Sequence, residues 1–155
     1  MRSFETWMEQ YGESHQNPTN QLIHKVMVPL IMWTVLGLFW AIPKPEFMNF
    51  GPWLNWSTLF GLGCMTFYLF LNFKMFLGMI FMITPMYLSI YYLAQMPEVS
   101  LWKVMVIVFV IAWIFQFVGH KIEGKKPSFI QDLAFLLIGP LWVLRSLYRL
   151  IGINV

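Results

Sequence analysis

Long apolar runs separated by short polar turns are the feature that most restricts how this chain can fold. A helix that crosses a bilayer needs about 20 apolar residues. Four runs of about this length predict membrane-spanning helices, over residues 21–42, 57–72, 75–94 and 101–118. A fifth apolar segment, residues 128–151, is expected either to re-enter the membrane as a hairpin broken at Gly139-Pro140 or to cross it. The pattern predicts an all-α integral membrane protein, with residues 1–155 forming one membrane-embedded domain.

The composition supports a membrane environment and excludes several other classes of protein. Hydrophobic residues make up 59% of the chain and charged residues 11%, whereas soluble domains carry about 25% charged residues. So small a chain cannot bury this much apolar surface in its own core, so membrane lipid must solvate the remainder. The basic residues form no long run, which argues against nucleic-acid binding. The single cysteine, Cys64, excludes an internal disulfide and a metal site built from several cysteines.

The residues before the first span predict a short helix and the start of a second, longer one. Residues 3–13 form an amphipathic pattern, which predicts a short helix lying in the plane of the membrane interface. Its apolar face is Phe4, Trp7, Met8 and Tyr11. Asn17 followed by Pro18 is typical of a helix N-terminus, because asparagine caps the free N–H groups and proline suits the first helical position.

Counting crossings predicts that all three histidines of the chain lie at one membrane face. His15 and His24 stand at the beginning of the first span, and His120 and Glu123 follow the fourth. Four crossings return the chain to the side on which it began. The argument depends on an even number of spans, because one span fewer would place His120 on the opposite side.

The distribution of positive charge predicts which face this is. On the histidine side lie Arg2, Lys25, Lys74, Lys121, Lys125 and Lys126, and on the other side lie Lys44 and Lys103. Cytoplasmic loops of membrane proteins carry the excess of lysine and arginine. We therefore expect an integral protein of the bacterial inner membrane, with the histidines at the cytoplasmic face.

The grouped histidines favour a metal site. Asn20 and His24 are spaced i, i+4, and His120 and Glu123 are spaced i, i+3, so each pair shares one helix face. Two histidines and a carboxylate describe non-haem Fe(II) oxygenases, whereas three histidines resemble a catalytic zinc site. The pattern itself leaves Fe(2+) and Zn(2+) both open.

Each of these residues also has a structural interpretation. The histidines are common at membrane interfaces, Glu123 can pair with a neighbouring lysine, and Tyr11 is typical of an interface anchor. Lys121 and Lys126 are suited to anionic lipid, or to a substrate carboxylate. Asp132 either caps the last helix or accepts a hydrogen bond from a ligand histidine.

Two motifs carry a resemblance to a known family. The first is Tyr11-x3-His15-x4-Asn20-x3-His24-x4-Pro29, and the second is Gln116-Phe117-x-Gly119-His120-x2-Glu123-x3-Pro127. Together they resemble the 2-hydroxy-fatty-acid dioxygenase family. These are small membrane proteins related to the fungal enzyme that breaks down phytosphingosine to odd-chain fatty acids. The resemblance covers residues 3–150.

The resemblance implies an Fe(II)-dependent α-oxidation, in which O2 converts a long-chain 2-hydroxy fatty acid into a fatty acid one carbon shorter. It implies that His15, His24 and His120 are iron ligands. Glu123 and Asn20 would be a ligand or a hydrogen-bond partner of one. Two other functions stay open at this point: a zinc-dependent lipid hydrolase built on the same histidines, and a non-enzymatic lipid-binding membrane module.

Overall fold

The computed structural model describes residues 2–128 and 133–154, and within these ranges every regular element is a helix. The six α-helices are α1 (Phe4–Gly12), α2 (Pro18–Ala41), α3 (Trp56–Leu71), α4 (Phe73–Ala94), α5 (Leu101–Glu123) and α6 (Phe135–Leu150). A short 3-10 turn, Glu46–Met48, lies in the loop between α2 and α3. The prediction of an all-α protein is confirmed.

Three of the helices are long and apolar enough to cross a membrane. These are α2, α4 and α5, whereas α3 is equally apolar but has only 16 residues. At 1.5 Å per residue α3 is about 24 Å long, slightly less than the hydrocarbon thickness of about 30 Å. Length and composition thus indicate a membrane protein. The exact number of crossings and the cytoplasmic position of the histidines stay predictions.

The helix starts follow from local capping chemistry. The Asn17 side chain accepts hydrogen bonds from the N–H groups of Thr19 and Asn20, and Pro18 is the first residue of α2. Asn72 ends α3 and its side chain caps α4, so these two helices meet at one residue. The predicted start of α2 at Asn17-Pro18 is confirmed.

The N-terminal helix packs against the end of the chain. The apolar face predicted for residues 3–13 is buried, and it lies against α6, where the Trp7 and Phe135 rings meet edge to face at 5.1 Å. The helix itself is confirmed as α1. Its apolar face is covered by protein. The position of α1 in the plane of the membrane stays a prediction.

Within the last apolar segment, Phe135–Leu150 form one continuous helix, so the expected break at Gly139-Pro140 is wrong. Proline removes one backbone hydrogen bond, but α6 runs through it because both of its flanks are packed. Ile138 and Leu141 are completely buried in the main core. Gly139 allows the helix to approach Tyr11, whose hydroxyl would lie 3.1 Å from a Cβ at this position. Tertiary packing therefore outweighs the local preference for a break.

The central helix of the fold is α2, which contacts α3, α4, α5 and α6. Its most extensive partner is α5, which runs antiparallel to it. The polar beginning of α2 therefore lies beside the polar end of α5. This pairing places His24 next to His120 although 96 residues separate them.

We expect Trp7→Ala to destabilise the protein. Trp7 is 6% exposed in the α1–α6 contact, and removing a buried aromatic side chain costs about 3 kcal/mol. Trp102→Ala is the matched control, since Trp102 is 54% exposed. Thermal unfolding in detergent should show a lower Tm for Trp7→Ala alone. Equal Tm values for the two variants would contradict the docking of α1.

Candidate metal centre

Three buried histidines from three separate segments form a compact cluster. His15 lies in the loop after α1, His24 in the second turn of α2, and His120 in the last turn of α5. One ring nitrogen of each lies within 4.8 Å of the others. The Nε2 atoms of His24 and His120 are 3.1 Å apart. The structure thus brings together all three histidines that the crossing argument expected to meet.

Backbone carbonyls fix which nitrogen of two rings carries the proton. Nδ1 of His15 lies 2.6 Å from the Tyr11 carbonyl oxygen, and Nδ1 of His24 lies 3.0 Å from that of Asn20. A carbonyl only accepts, so each Nδ1 must donate and each Nε2 must keep its lone pair. Within the described part of the chain, the buried Nε2 of His15 has no hydrogen-bond partner. The lone pair of His15 is thus unsatisfied, and that of His24 faces the Nε2 of His120.

The environment keeps His15 neutral. Burial lowers its pKa to about 4, and this effect exceeds the opposing effect of the hydrogen bond to Tyr11. The neutral imidazole is the form that binds a metal ion. At neutral pH the ring is therefore ready to coordinate without first losing a proton.

Tyr11 forms one wall of the cluster. Its ring stacks on His15 with a centroid distance of 4.2 Å and an interplanar angle of 7°. Burial raises the pKa of its phenol, which therefore stays protonated. Tyr11 orients His15 in two ways, through ring stacking and through its carbonyl group.

The carboxylate of Glu123 binds the loop that carries His15. Oε1 accepts a hydrogen bond from the N–H of Gln16 at 2.8 Å, and Oε2 accepts bonds from the N–H of Asn17 at 2.8 Å and from the amide of Asn20 at 3.0 Å. Glu123 does not belong to the group of donor atoms that lie within 4.8 Å of one another. Of its two predicted roles, this geometry favours support of the ligands over direct coordination.

Asn20 connects the loop, α2 and α5. Its amide nitrogen donates to the Ser14 carbonyl at 3.1 Å as well as to Glu123. A Cβ on Gly119 would collide with its side-chain oxygen and crowd His24. The absence of a side chain at Gly119 therefore lets the two helices approach closely enough to join their histidines.

The remaining predicted site residues lie elsewhere. Lys121 and Lys126 are exposed and line neither of the two cavities that reach His15. The neighbouring Lys125 donates to the Glu13 carbonyl at 2.7 Å. Asp132 lies outside the described residues.

A mostly apolar cavity of about 240 Å³ begins at the three histidines. It extends between α2, α3 and α5, with α6 closing one side. Gln116 lies on its wall one helical turn from His120 and is 6% exposed. Sequence reasoning quoted Gln116 as part of a motif but did not propose it as a site residue. The available signal was its i−4 spacing from His120.

A second, more polar cavity of about 450 Å³ reaches His15 from the opposite side. Arg145, Arg149 and Gln21 line it together with Glu9 and Glu13. The buried Nε of Arg145 has no hydrogen-bond partner among the described residues. The sequence analysis did not propose either arginine as a site residue.

The donor set fits a resident metal ion. Three imidazoles converge, two are held in the coordinating tautomer, and all three side chains are buried. Imidazole ligands suit both iron and zinc. The structure is thus compatible with metal binding and leaves the identity of the metal open.

Comparison with known proteins agrees with the motifs. The sequence model of the family described as 2-hydroxy-palmitic acid dioxygenase Mpo1-like matches residues 1–151. No curated protein and no solved structure gives a significant match. Because the match covers nearly the whole chain, the protein belongs to the 2-hydroxy-palmitic acid dioxygenase Mpo1-like family.

Proposed function

We propose that this protein is a membrane-embedded Fe(II) dioxygenase that shortens long-chain 2-hydroxy fatty acids by one carbon. The observation that carries the proposal is the position of the three histidines at the end of an apolar cavity. In this arrangement a metal ion held by the histidines would bind the polar head of a fatty acid, and the apolar cavity would hold its acyl tail. Family membership adds the substrate class and the use of O2.

The ligands of the proposed iron are His15, His24 and His120. Bound Fe(II) would supply the activation of O2. A 2-hydroxy acid carries a hydroxyl and a carboxylate oxygen on adjacent carbons, which suits chelation of a divalent ion. Three protein ligands leave coordination positions free for such a substrate. The chain's own contribution is to hold three neutral imidazoles in place.

The apolar cavity would contribute most of the binding free energy. Burying one methylene stabilises a complex by about 0.8 kcal/mol, so ten methylenes contribute about 8 kcal/mol. A short, soluble 2-hydroxy acid gains little from the cavity. This difference supports a long-chain substrate drawn from membrane lipid.

Gln116 is suited to bind the polar head of the substrate. Its amide lines the cavity beside His120 and makes no hydrogen bond to other described residues of the chain. A side-chain amide can donate a hydrogen bond to a carboxylate or a hydroxyl group. We assign Gln116 the positioning of the acid group next to the metal.

A zinc-dependent lipid hydrolase is the second candidate, because the donor cluster holds three histidines and no carboxylate. Three histidines are also the ligand set of a catalytic zinc site. Elemental analysis of the purified protein separates the two candidates, since iron is expected for the first and zinc for the second.

The function is tested by anaerobic purification, loading with Fe(II), and addition of 2-hydroxypalmitate and O2. We expect pentadecanoic acid as the product, measured by mass spectrometry, and no product with zinc in place of iron. An iron-loaded protein that forms no shortened acid from this or longer 2-hydroxy acids would refute the proposed reaction.

His24→Ala should abolish metal binding. Loss of a residue that merely supports a ligand lowers metal affinity by about 10–100-fold, so loss of a ligand should lower it further. Metal content per chain, measured by elemental analysis, is the readout. Lys121→Ala is the control, because Lys121 is exposed. A His24→Ala protein with full metal content would overturn the ligand assignment.

Gln116→Leu should raise KM for 2-hydroxypalmitate about tenfold, because a hydrogen bond to a charged group contributes about 1.5–3 kcal/mol. Gln116→Glu should raise KM more, because the new carboxylate would repel the carboxylate of the substrate. Gln95→Leu serves as control, because Gln95 is exposed. An unchanged KM in both Gln116 variants would exclude contact with the head group.

A further inference from the structure

Two matching stripes of residues lead away from the histidine cluster into the apolar cavity. On α2 the lining residues after His24 are Val28, Ile31, Met32, Val35 and Leu36. On α5 they precede His120 and are Gln116, Trp113 and Phe109. The spacings of three and four residues keep each stripe on one helix face. Because the helices are antiparallel, both stripes descend in the same direction, over roughly 17 Å at 1.5 Å per residue.

Leu36, the last residue of α2 that lines the cavity, belongs to a second, separate core cluster. Leu36, Ile90, Leu101 and Met105 form it, and Ile90 and Met105 are completely buried. Gly37 allows the Met105 side chain to lie directly on the α2 backbone, where any Cβ would collide with it. We call these four residues the floor.

Helix α3 forms a third wall of the cavity, beside α2 and α5, and its lining residues lie at successive depths. Tyr68 lies nearest the histidine end, where its hydroxyl donates to the Leu137 carbonyl at 3.1 Å. Cys64 is one turn deeper and Gly61 nearly one turn deeper again. Gly61 faces the Tyr87 hydroxyl, which donates to the Ser57 carbonyl at 2.6 Å. Cys64 therefore marks the middle of the cavity.

We propose that this cavity is a binding site for a single linear acyl chain and that the floor sets the longest chain accepted. The identity of the head group rests on the proposed function, whereas the depth of the tail site follows from the packing of Leu36 and Met105. A tail that stops above the floor leaves part of the cavity unfilled. A tail that is too long must push apart two fully packed helices.

Binding should therefore depend on chain length in two regimes. Each added methylene increases affinity about fourfold while it fills apolar space. Beyond the floor the increase stops and affinity falls. A flat hydrophobic surface open to lipid would show the first regime only.

The thiol of Cys64 gives a readout that requires no catalysis. It is the only cysteine of the chain, and it lines the cavity. We would measure its alkylation by N-ethylmaleimide, using intact-protein mass spectrometry, in the presence of 2-hydroxy acids of increasing chain length and without O2. Acids that reach Cys64 should slow alkylation at least tenfold, whereas 2-hydroxybutyrate should not.

Two variants with opposite effects test the floor. Met105→Ala should extend the longest protecting acid by two or more carbons, as judged by the same alkylation assay, because it opens the floor (about three side-chain atoms are lost). Val35→Phe should shorten it, because it fills the cavity above the floor. Met96→Ala is the control for Met105→Ala, since Met96 is 47% exposed. Should Met105→Ala fail to fold, Val35→Phe still decides the question.

The outcomes separate this proposal from the proposed function. Length-dependent protection without any shortened product would support the acyl site and refute the dioxygenase reaction. Product formation with no protection of Cys64 would refute the acyl site, as would protection that neither Met105→Ala nor Val35→Phe shifts. Chain length and chemistry are thus tested by different measurements.

Discussion

The close contact between the start of α2 and the end of α5 is the constraint on which the rest of the site depends. Gly119 offers no side chain, so Asn20 and His24 can lie directly against α5. The two helices then continue side by side, and the same pairing that joins His24 to His120 also forms two walls of the apolar cavity. The histidine cluster and the apolar cavity therefore both depend on the packing of α2 against α5, and a shift of one helix would change both.

Glu123 shows how a charged residue near a metal site can act through the backbone. Its two oxygens satisfy three N–H donors from the loop and from Asn20, which ties that loop to the end of α5. Two of these donors belong to the beginning of α2, where a carboxylate is also favoured by the helix dipole. The carboxylate thus holds His15 in position, although its spacing from His120 made it a candidate ligand.

Much of this site could be predicted from the sequence, and the limits have physical reasons. Caps such as Asn17-Pro18 are local, so the start of α2 was predictable. The meeting of the histidines followed from the order of the apolar runs. The inward faces of the helices were not predictable, because a helix solvated by lipid is apolar on all sides and its periodicity is weak. For the same reason the floor could not be recognised, whereas Gln116 could have been found from its i−4 spacing to His120. The continuity of α6 through Pro140 depends on tertiary packing.

The contact between His24 and His120 supports the proposed metal ion at the end of this cavity. With Nδ1 of His24 donating to a carbonyl, its Nε2 presents a lone pair to the Nε2 of His120 at 3.1 Å. Either His120 donates a proton across this contact or both lone pairs share a positive ion. The first choice leaves the Nε2 of His15 without a partner in a buried, low-dielectric site, which is costly. A metal ion would satisfy the Nε2 atoms of all three rings at once. The cost of leaving His15 Nε2 unpaired in a buried site therefore supports the proposed metal centre at the end of the apolar cavity.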